Sequence, residues 1–154
     1  MKKPVTVAHV DLKRYLTRWY VIAGRTTFLE NDAYNSIEQY QWNEEKKRID
    51  IDFQLRKGSF DGKLKSIPQK GWIEDKKSNA HWKVQFIWPI KADYLILALD
   101  PDYLWTAVGV SSQRYLWIMS TKPQMEQSLV DQILAKVSAQ GYAVQDVKRV
   151  PQKW

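Results

Sequence analysis

As far as Ser120 the chain is dominated by a period of two in its apolar and polar positions. The cleanest stretch is 48–56, where Ile49, Ile51, Phe53 and Leu55 share one face and Asp50, Asp52, Gln54 and Arg56 the other. Successive side chains of a strand point to opposite faces, so this pattern predicts an antiparallel strand with one buried and one solvated side. Its hairpin partner is 36–42, across Asn43-Glu44-Glu45-Lys46-Lys47, and there alternation puts Glu38 on the same face as Tyr40 and Trp42. Gly58 and Gly62 turn the chain into a weaker strand, 66–74, which Pro68 marks as an edge, bend or bulge. Trp82, Val84, Phe86 and Trp88 then alternate with Lys83 and Gln85 until Pro89. Segments 94–99, 104–110 and 115–119 continue the series, and their outward positions are apolar too. So is the first strand, 15–23, with Trp19, Val21 and Ala23 on one face and Tyr20 and Ile22 on the other. A sheet apolar on both faces needs cover on both.

The outer cover lies further on. Pro123 can open a helix, since the first turn has no use for the donor that proline lacks, and Gly141 can close it. Between them Met125, Leu129, Ile133 and Val137 form a stripe, widened by Val130 and Leu134, opposite Glu126, Gln127, Asp131, Gln132 and Lys136. Such a stripe suits a membrane surface or a partner, but the waiting apolar sheet favours packing within the domain. Val144, Val147 and Val150 add a short final strand. About eight short strands and then one helix predict an all-β fold: an eight-stranded antiparallel up-and-down β-barrel with a C-terminal α-helix packed on the outside. The expected organisation is one domain over 1–154, with the barrel at about 15–121, the helix at 123–140 and the last strand at 143–148.

Alternation assigns Val21, Ala23 and Ile73 to the barrel interior, along with a candidate ligand-binding set. That set is Glu38, Tyr40 and Trp42 on the second strand, Ile51 and Phe53 on the third, and Val84, Phe86 and Trp88 on the fifth. Tyr94 and Ile96, Trp105, and finally Tyr115 and Trp117 complete it. An apolar interior with a few polar groups is the usual small-molecule site, but an eight-stranded barrel can equally be filled by its own side chains. The loop 25–35 carries Phe28 and Leu29, which serve either as a lid over the mouth or as plain anchors.

Composition narrows the chemistry. Eight Trp and eight Tyr exceed what an aliphatic core requires, and the absence of Cys rules out disulfides and thiolate chemistry. The net charge of +7 is dispersed among acids with no long basic block, which argues against nucleic-acid binding. His9 and His81 stand far apart, and no catalytic or metal-ligating constellation is visible, so neither an enzyme nor a cofactor is expected. Glu38 alone among the carboxylates falls on the aromatic face. The chain has no long apolar run, so it is expected in the cytoplasm, or at the outer membrane or in the periplasm if a leader has been removed.

Three segments carry a family resemblance. Tyr15-Leu16, Arg18-Trp19-Tyr20 and Ile22-Ala23 resemble the first signature of the lipocalins, in the branch of bacterial outer-membrane lipocalins, plant temperature-induced lipocalins and apolipoprotein D. Thr17 stands where the family usually has Gly. Asp100-Pro101-Asp102-Tyr103 resembles the second signature, and Tyr115-Leu116-Trp117-Ile118-Met119-Ser120 before a helix resembles the third. The resemblance implies a barrel floor built on Trp19, Asp100, Asp102 and Tyr103. It also implies a fatty acid or lysophospholipid as ligand, with a role in transport, storage or membrane lipid upkeep. The expected partners are that small hydrophobic ligand and, through a removed or lipidated N-terminus, a membrane; the chain itself is expected as a monomer or homodimer. A filled barrel acting as an interaction or structural module is the alternative, and a carrier of a flat aromatic or haem a third. The family commonly stacks an Arg on the floor Trp, but this chain has Thr121 and Lys122 there, which leaves Lys122, Arg18 or packing alone to close the floor.

Overall fold

The computed structural model describes residues 4–87 and 89–154; Trp88 and the side chains of Phe86 and Ile87 lie outside the description. A single helical turn, α1 (Leu12–Tyr15), precedes strand β1 (Arg18–Arg25), and a 3₁₀ turn (Phe28–Glu30) leads to β2 (Ala33–Asn43). The meander continues through β3 (Arg48–Lys57), β4 (Leu64–Ile73), β5 (His81–Ile87), β6 (Ile90–Leu99), β7 (Trp105–Gly109) and β8 (Leu116–Ser120). Helix α2 (Gln127–Ala139) and a short β9 (Lys148–Arg149) follow. Each strand pairs antiparallel with the next, and β1 pairs with both β8 and β2, which closes an eight-stranded barrel.

Two apolar layers result. The inner one holds Trp19, Val21, Ile51, Phe53, Trp82, Ile96 and Met119; the outer one holds Ile22, Leu95, Leu97, Leu116 and Ile118 beneath Val130, Ile133 and Val137 of α2. The helix stripe therefore packs on its own sheet. Its C-terminus is closed by Gly141, whose φ of +91° favours a residue without a side chain. There the Tyr142 amide donates to the Val137 carbonyl and that of Gly141 to Ser138, a Schellman arrangement.

Four of the differences between the structure and the sequence expectations have a clear local cause. Residues 15–17 are not strand: Asp11 caps α1 by accepting from the Lys13 amide, and α1 carries Tyr15 wholly into the barrel. Ala23 faces α2 rather than the interior, because a bulge lies between Val21, opposite Met119, and Ala23, opposite Ile118. One extra residue moves the rest of a strand to the other face. The helix begins at Gln127 rather than at Pro123, since the Met125 carbonyl accepts from Arg149 Nη2 and the Gln124 side chain donates to the Gln152 carbonyl. Both contacts hold the connector extended. The final strand is Lys148–Arg149, against Ala23 and Gly24, while Val144 and Val147 pack on the helix-side layer.

Candidate functional site

The lower half of the barrel is solid. Tyr15 from α1 meets Trp19 (5.2 Å between ring centroids), Tyr40 (6.1 Å) and Trp82 (5.6 Å), and Trp82 stacks on Tyr94 at 4.3 Å. Buried hydroxyls need partners, and these find one another. Thr106 Oγ1 donates to the Ala98 carbonyl (3.1 Å) and bonds the Tyr15 hydroxyl (3.2 Å). Tyr15 bonds Tyr94 (2.9 Å), Tyr94 bonds Tyr40 (2.8 Å), and Tyr40 donates to Glu38 Oε2 at 3.3 Å. A hydroxyl chain thus crosses the floor and ends on a carboxylate.

Above it lies a cavity of about 60 Å³, with room for a few waters. Ile51, Phe53, Ile67 and Val84 from β3, β4 and β5 form its apolar wall. Glu38, Tyr94 and Trp117 face it from other strands, and the 3₁₀ turn covers it with Leu29 and Glu30. Thr27 and Glu30 form a capping box, and both Glu30 oxygens accept from Trp117 Nε1 at 3.2 Å. Strand direction puts this turn at the open end, with the loops after β3, β5 and β7.

Electrostatics mark the two acids. Burial, and then the charge of Glu30, push the Glu38 carboxyl up to about 8 against the opposing bond from Tyr40. Burial likewise raises Glu30, against its bonds from Trp117 and Thr27. Asp93 also lines the cavity, but hydrogen bonds from Lys83, Ser111 and His81 outweigh its desolvation and hold its carboxyl well below the usual range.

Of the residues expected to form the site, Glu38, Ile51, Phe53, Val84, Tyr94 and Trp117 surround the cavity. Tyr40 and Ile96 point inward but belong to the packed floor. Trp42 is 38% exposed at the lower end of β2, where its Nε1 donates to Glu44 Oε2. It shares the face of Tyr40 but lies past the floor: parity fixes the face of a strand, not the height along it. Trp105 packs in the outer layer, because Val108 stands opposite Ile96 and β7 turns Thr106 and Val108 inward. Tyr115 precedes β8, with its ring against Trp117 and its carbonyl accepting from Tyr142. Phe86 and Trp88 lie outside the described side chains. Glu30, Ile67, Val108 and Val110 are lining residues that alternation did not single out.

The floor resembles the expected one with its cation moved. Trp19 is fully buried, and its Nε1 donates to the Tyr15 carbonyl. Tyr103 adopts a left-handed φ of 59° and accepts from the Asp11 amide, while Asp100 accepts from the Leu104 amide; Asp102 is exposed. Arg14 lies over the Tyr103 ring at 4.3 Å. Among the described residues no cation lies over Trp19; the floor is filled by Tyr15 and its neighbours, with Arg14 on Tyr103 outside it.

A closed up-and-down barrel with a small covered cavity, an aromatic floor and one external helix defines a class of small-molecule binding barrels. A model of the Lipocalin-like domain matches residues 10–152, and the chain belongs to the lipocalin family, whose members bind small hydrophobic ligands. It is 31% identical to temperature-induced lipocalin-1 of Arabidopsis thaliana, over 98% of this chain and 84% of that one. It is 30% identical to the outer membrane lipoprotein Blc of Citrobacter freundii, over 92% of this chain and 80% of that one. Insecticyanin from the tobacco hornworm Manduca sexta shares the fold with a TM-score of 0.73 at 14% identity, over 99% of this chain and 85% of that one. Lobster apocrustacyanin A1 does so at 0.70 and 15%, over 99% and 91%. No helix among the described residues is long and apolar enough to cross a membrane.

Proposed function

We propose that this chain binds a single-chain lipid, of the class of fatty acids and lysophospholipids, with its acyl chain in the barrel mouth, and acts in the transport, storage or upkeep of membrane lipid. The observation that carries the reading is the cavity itself, lined by Ile51, Phe53, Ile67 and Val84 of β3–β5 and covered at its mouth by the 3₁₀ turn. At about 60 Å³ it is several-fold smaller than the ~300–1,000 Å³ of sites that enclose a drug-sized ligand. An acyl chain therefore enters by displacing Leu29 and the turn that carries it. Glu38, Ile51, Phe53, Val84, Tyr94 and Trp117 are the proposed contacts.

The rim supports exchange with a lipid surface. Phe28, Leu64 and Ile90 are 70%, 51% and 61% exposed at the open end, among Lys57, Lys63, Lys65 and Lys91. Apolar side chains set among cations suit an anionic bilayer. The outer-membrane lipoproteins among the relatives favour a location at the outer membrane or periplasm. The role is binding rather than catalysis. Trp117 lines the cavity, so titration with a long-chain lysophospholipid below its micellar concentration should change Trp emission saturably at micromolar ligand. No saturable response to any single-chain lipid would leave the filled barrel, acting as an interaction module, as the better reading.

A further inference from the structure

The cavity sets acids beside apolar side chains. Ile51, Phe53, Ile67 and Val84 line it together with Glu30 and Glu38, and Glu38 stands directly across from Phe53 in the β2–β3 pair. No Lys, Arg or His is among its described lining residues. Asp93, the third acid, is answered by Lys83 and His81. The other two have only neutral donors: Trp117 and Thr27 on Glu30, and the Tyr40 hydroxyl on Glu38. Glu38 is nine-tenths buried, and among the described residues one of its two oxygens accepts no hydrogen bond. Two carboxyls sharing a poorly hydrated space without a cation are costly when ionised. A fatty acid anion placed there would add a third negative charge.

We propose that the cavity selects among single-chain amphiphiles by their polar end, accepting one that presents a hydrogen-bond donor, a primary ammonium above all, and rejecting an ionised carboxylate. The inference rests on the single-chain ligand reading above and narrows its head group, away from ionised fatty acids and toward amphiphiles that carry an ammonium. An ammonium brings three donors and a charge, which answers the free oxygen of Glu38 and the carboxylate of Glu30 while the alkyl chain lies on the β3–β5 wall. Binding then draws Glu38 into its ionised form and releases its proton. The groups that face Glu38 are Glu30 from the turn, Tyr40 on its own strand, Tyr94 from β6 and Tyr15 from α1, while the Asp93 side chain is turned to Lys83, His81 and Ser111.

The test compares dodecylamine, dodecanol and dodecanoic acid, each below its micellar or solubility limit, by calorimetric titration of the whole chain at pH 6.5 and 8.5. The amine should bind about tenfold tighter than the alcohol at pH 8.5, the equivalent of one unit of pKa displacement, and the alcohol tighter than the acid. The amine's advantage should grow from pH 6.5 to 8.5, because the ammonium stays protonated while Glu38 ionises. Combining Glu30→Gln with Glu38→Gln should abolish the amine's advantage over dodecanol measured in that same variant. Dodecanoate binding as well as dodecanol at pH 8.5, or an amine preference that survives in the double variant, would overturn the head-group inference alone. If none of the three binds, the ligand-binding reading falls first and the inference with it.

Discussion

Glu38→Gln is the single change with the most to reveal. In the folded chain Glu38 is 9% exposed and shares its cavity with Glu30, which moves its carboxyl from the ordinary 4.5 up to about 8. Between those two values the folded state holds a proton that the unfolded chain has released. Stability must therefore fall as pH rises through that window, with the whole penalty present above the folded value. A gap of roughly 3.5 units at about 1.36 kcal/mol per unit sets a ceiling near 5 kcal/mol, and water entering the mouth reduces it to a few. Glutamine stays neutral throughout, and its amide oxygen can accept from the Tyr40 hydroxyl as the carboxyl does. The variant should match the wild type within about 1 kcal/mol near pH 5. At pH 9 it should melt on the order of 10 °C higher, as a few kcal/mol imply for a domain of this length. Thermal unfolding followed by circular dichroism at pH 5, 7 and 9 gives the comparison. Glu30, raised in the same direction, leaves the variant a smaller residual slope. Asp93, displaced the opposite way, loses its contribution only at strongly acid pH and does not enter the window. Melting curves of wild type and variant that stay parallel from pH 5 to 9 would show that Glu38 is not held in a dry site.

Other consequences are as direct. Ile133 is 2% exposed beneath α2, so Ile133→Asp should lower stability by roughly 3–5 kcal/mol in urea denaturation, because a charge would face the apolar outer layer; an unchanged midpoint would mean that α2 is not docked. At Gly109 a Cβ would lie 2.5 Å from both Cζ and the hydroxyl of Tyr142, whose hydroxyl accepts from the Val110 amide. Gly109→Ala should therefore cost about 1–3 kcal/mol, and the added Tyr142→Phe should not restore it, since the ring itself obstructs. Phe53→Ala enlarges a cavity that already exists, so its loss should fall near or below the low end of ~3–5 kcal/mol, with tighter binding of bulkier lipids. The full loss with no change in binding would favour a filled barrel.

How much could be read from the sequence depended on whether a strand has one wet face. In β3, Ile49 to Leu55 alternate with charged or amide residues, so solvent itself marks the inward set, and all four face the core. In β1 and β7 both faces are apolar, and nothing in composition distinguishes them. The bulge at Ile22 and the register of β7 against β6 decide instead, and they moved Ala23 and Trp105 outward. Trp42 escaped for a different reason, because periodicity carries no information about depth. Glu30 lies in a loop with no period at all. Its one local signal is the Thr27-x-x-Glu30 spacing, a capping box that ties the side chain back toward the chain and so toward the barrel.

The same comparison indicates where the barrel can open. Enlarging the cavity downward would break a chain of hydroxyl bonds from Glu38 through Tyr40, Tyr94 and Tyr15 to Thr106, each worth about 1 kcal/mol. It would also part the ring pairs around Trp82, at roughly 0.5–1.5 kcal/mol each, and expel Tyr15, which Trp19 holds through its carbonyl. Moving the 3₁₀ turn outward breaks far less. Trp117 gives up its bond to Glu30, Leu29 leaves the cavity, and Phe28 is already in solvent. The turn's own capping box moves with it intact, because Thr27 and Glu30 bond each other. The floor is thus fixed and the mouth adjustable. Swinging the turn also carries Glu30 away from Glu38, which relieves their repulsion while the mouth is open.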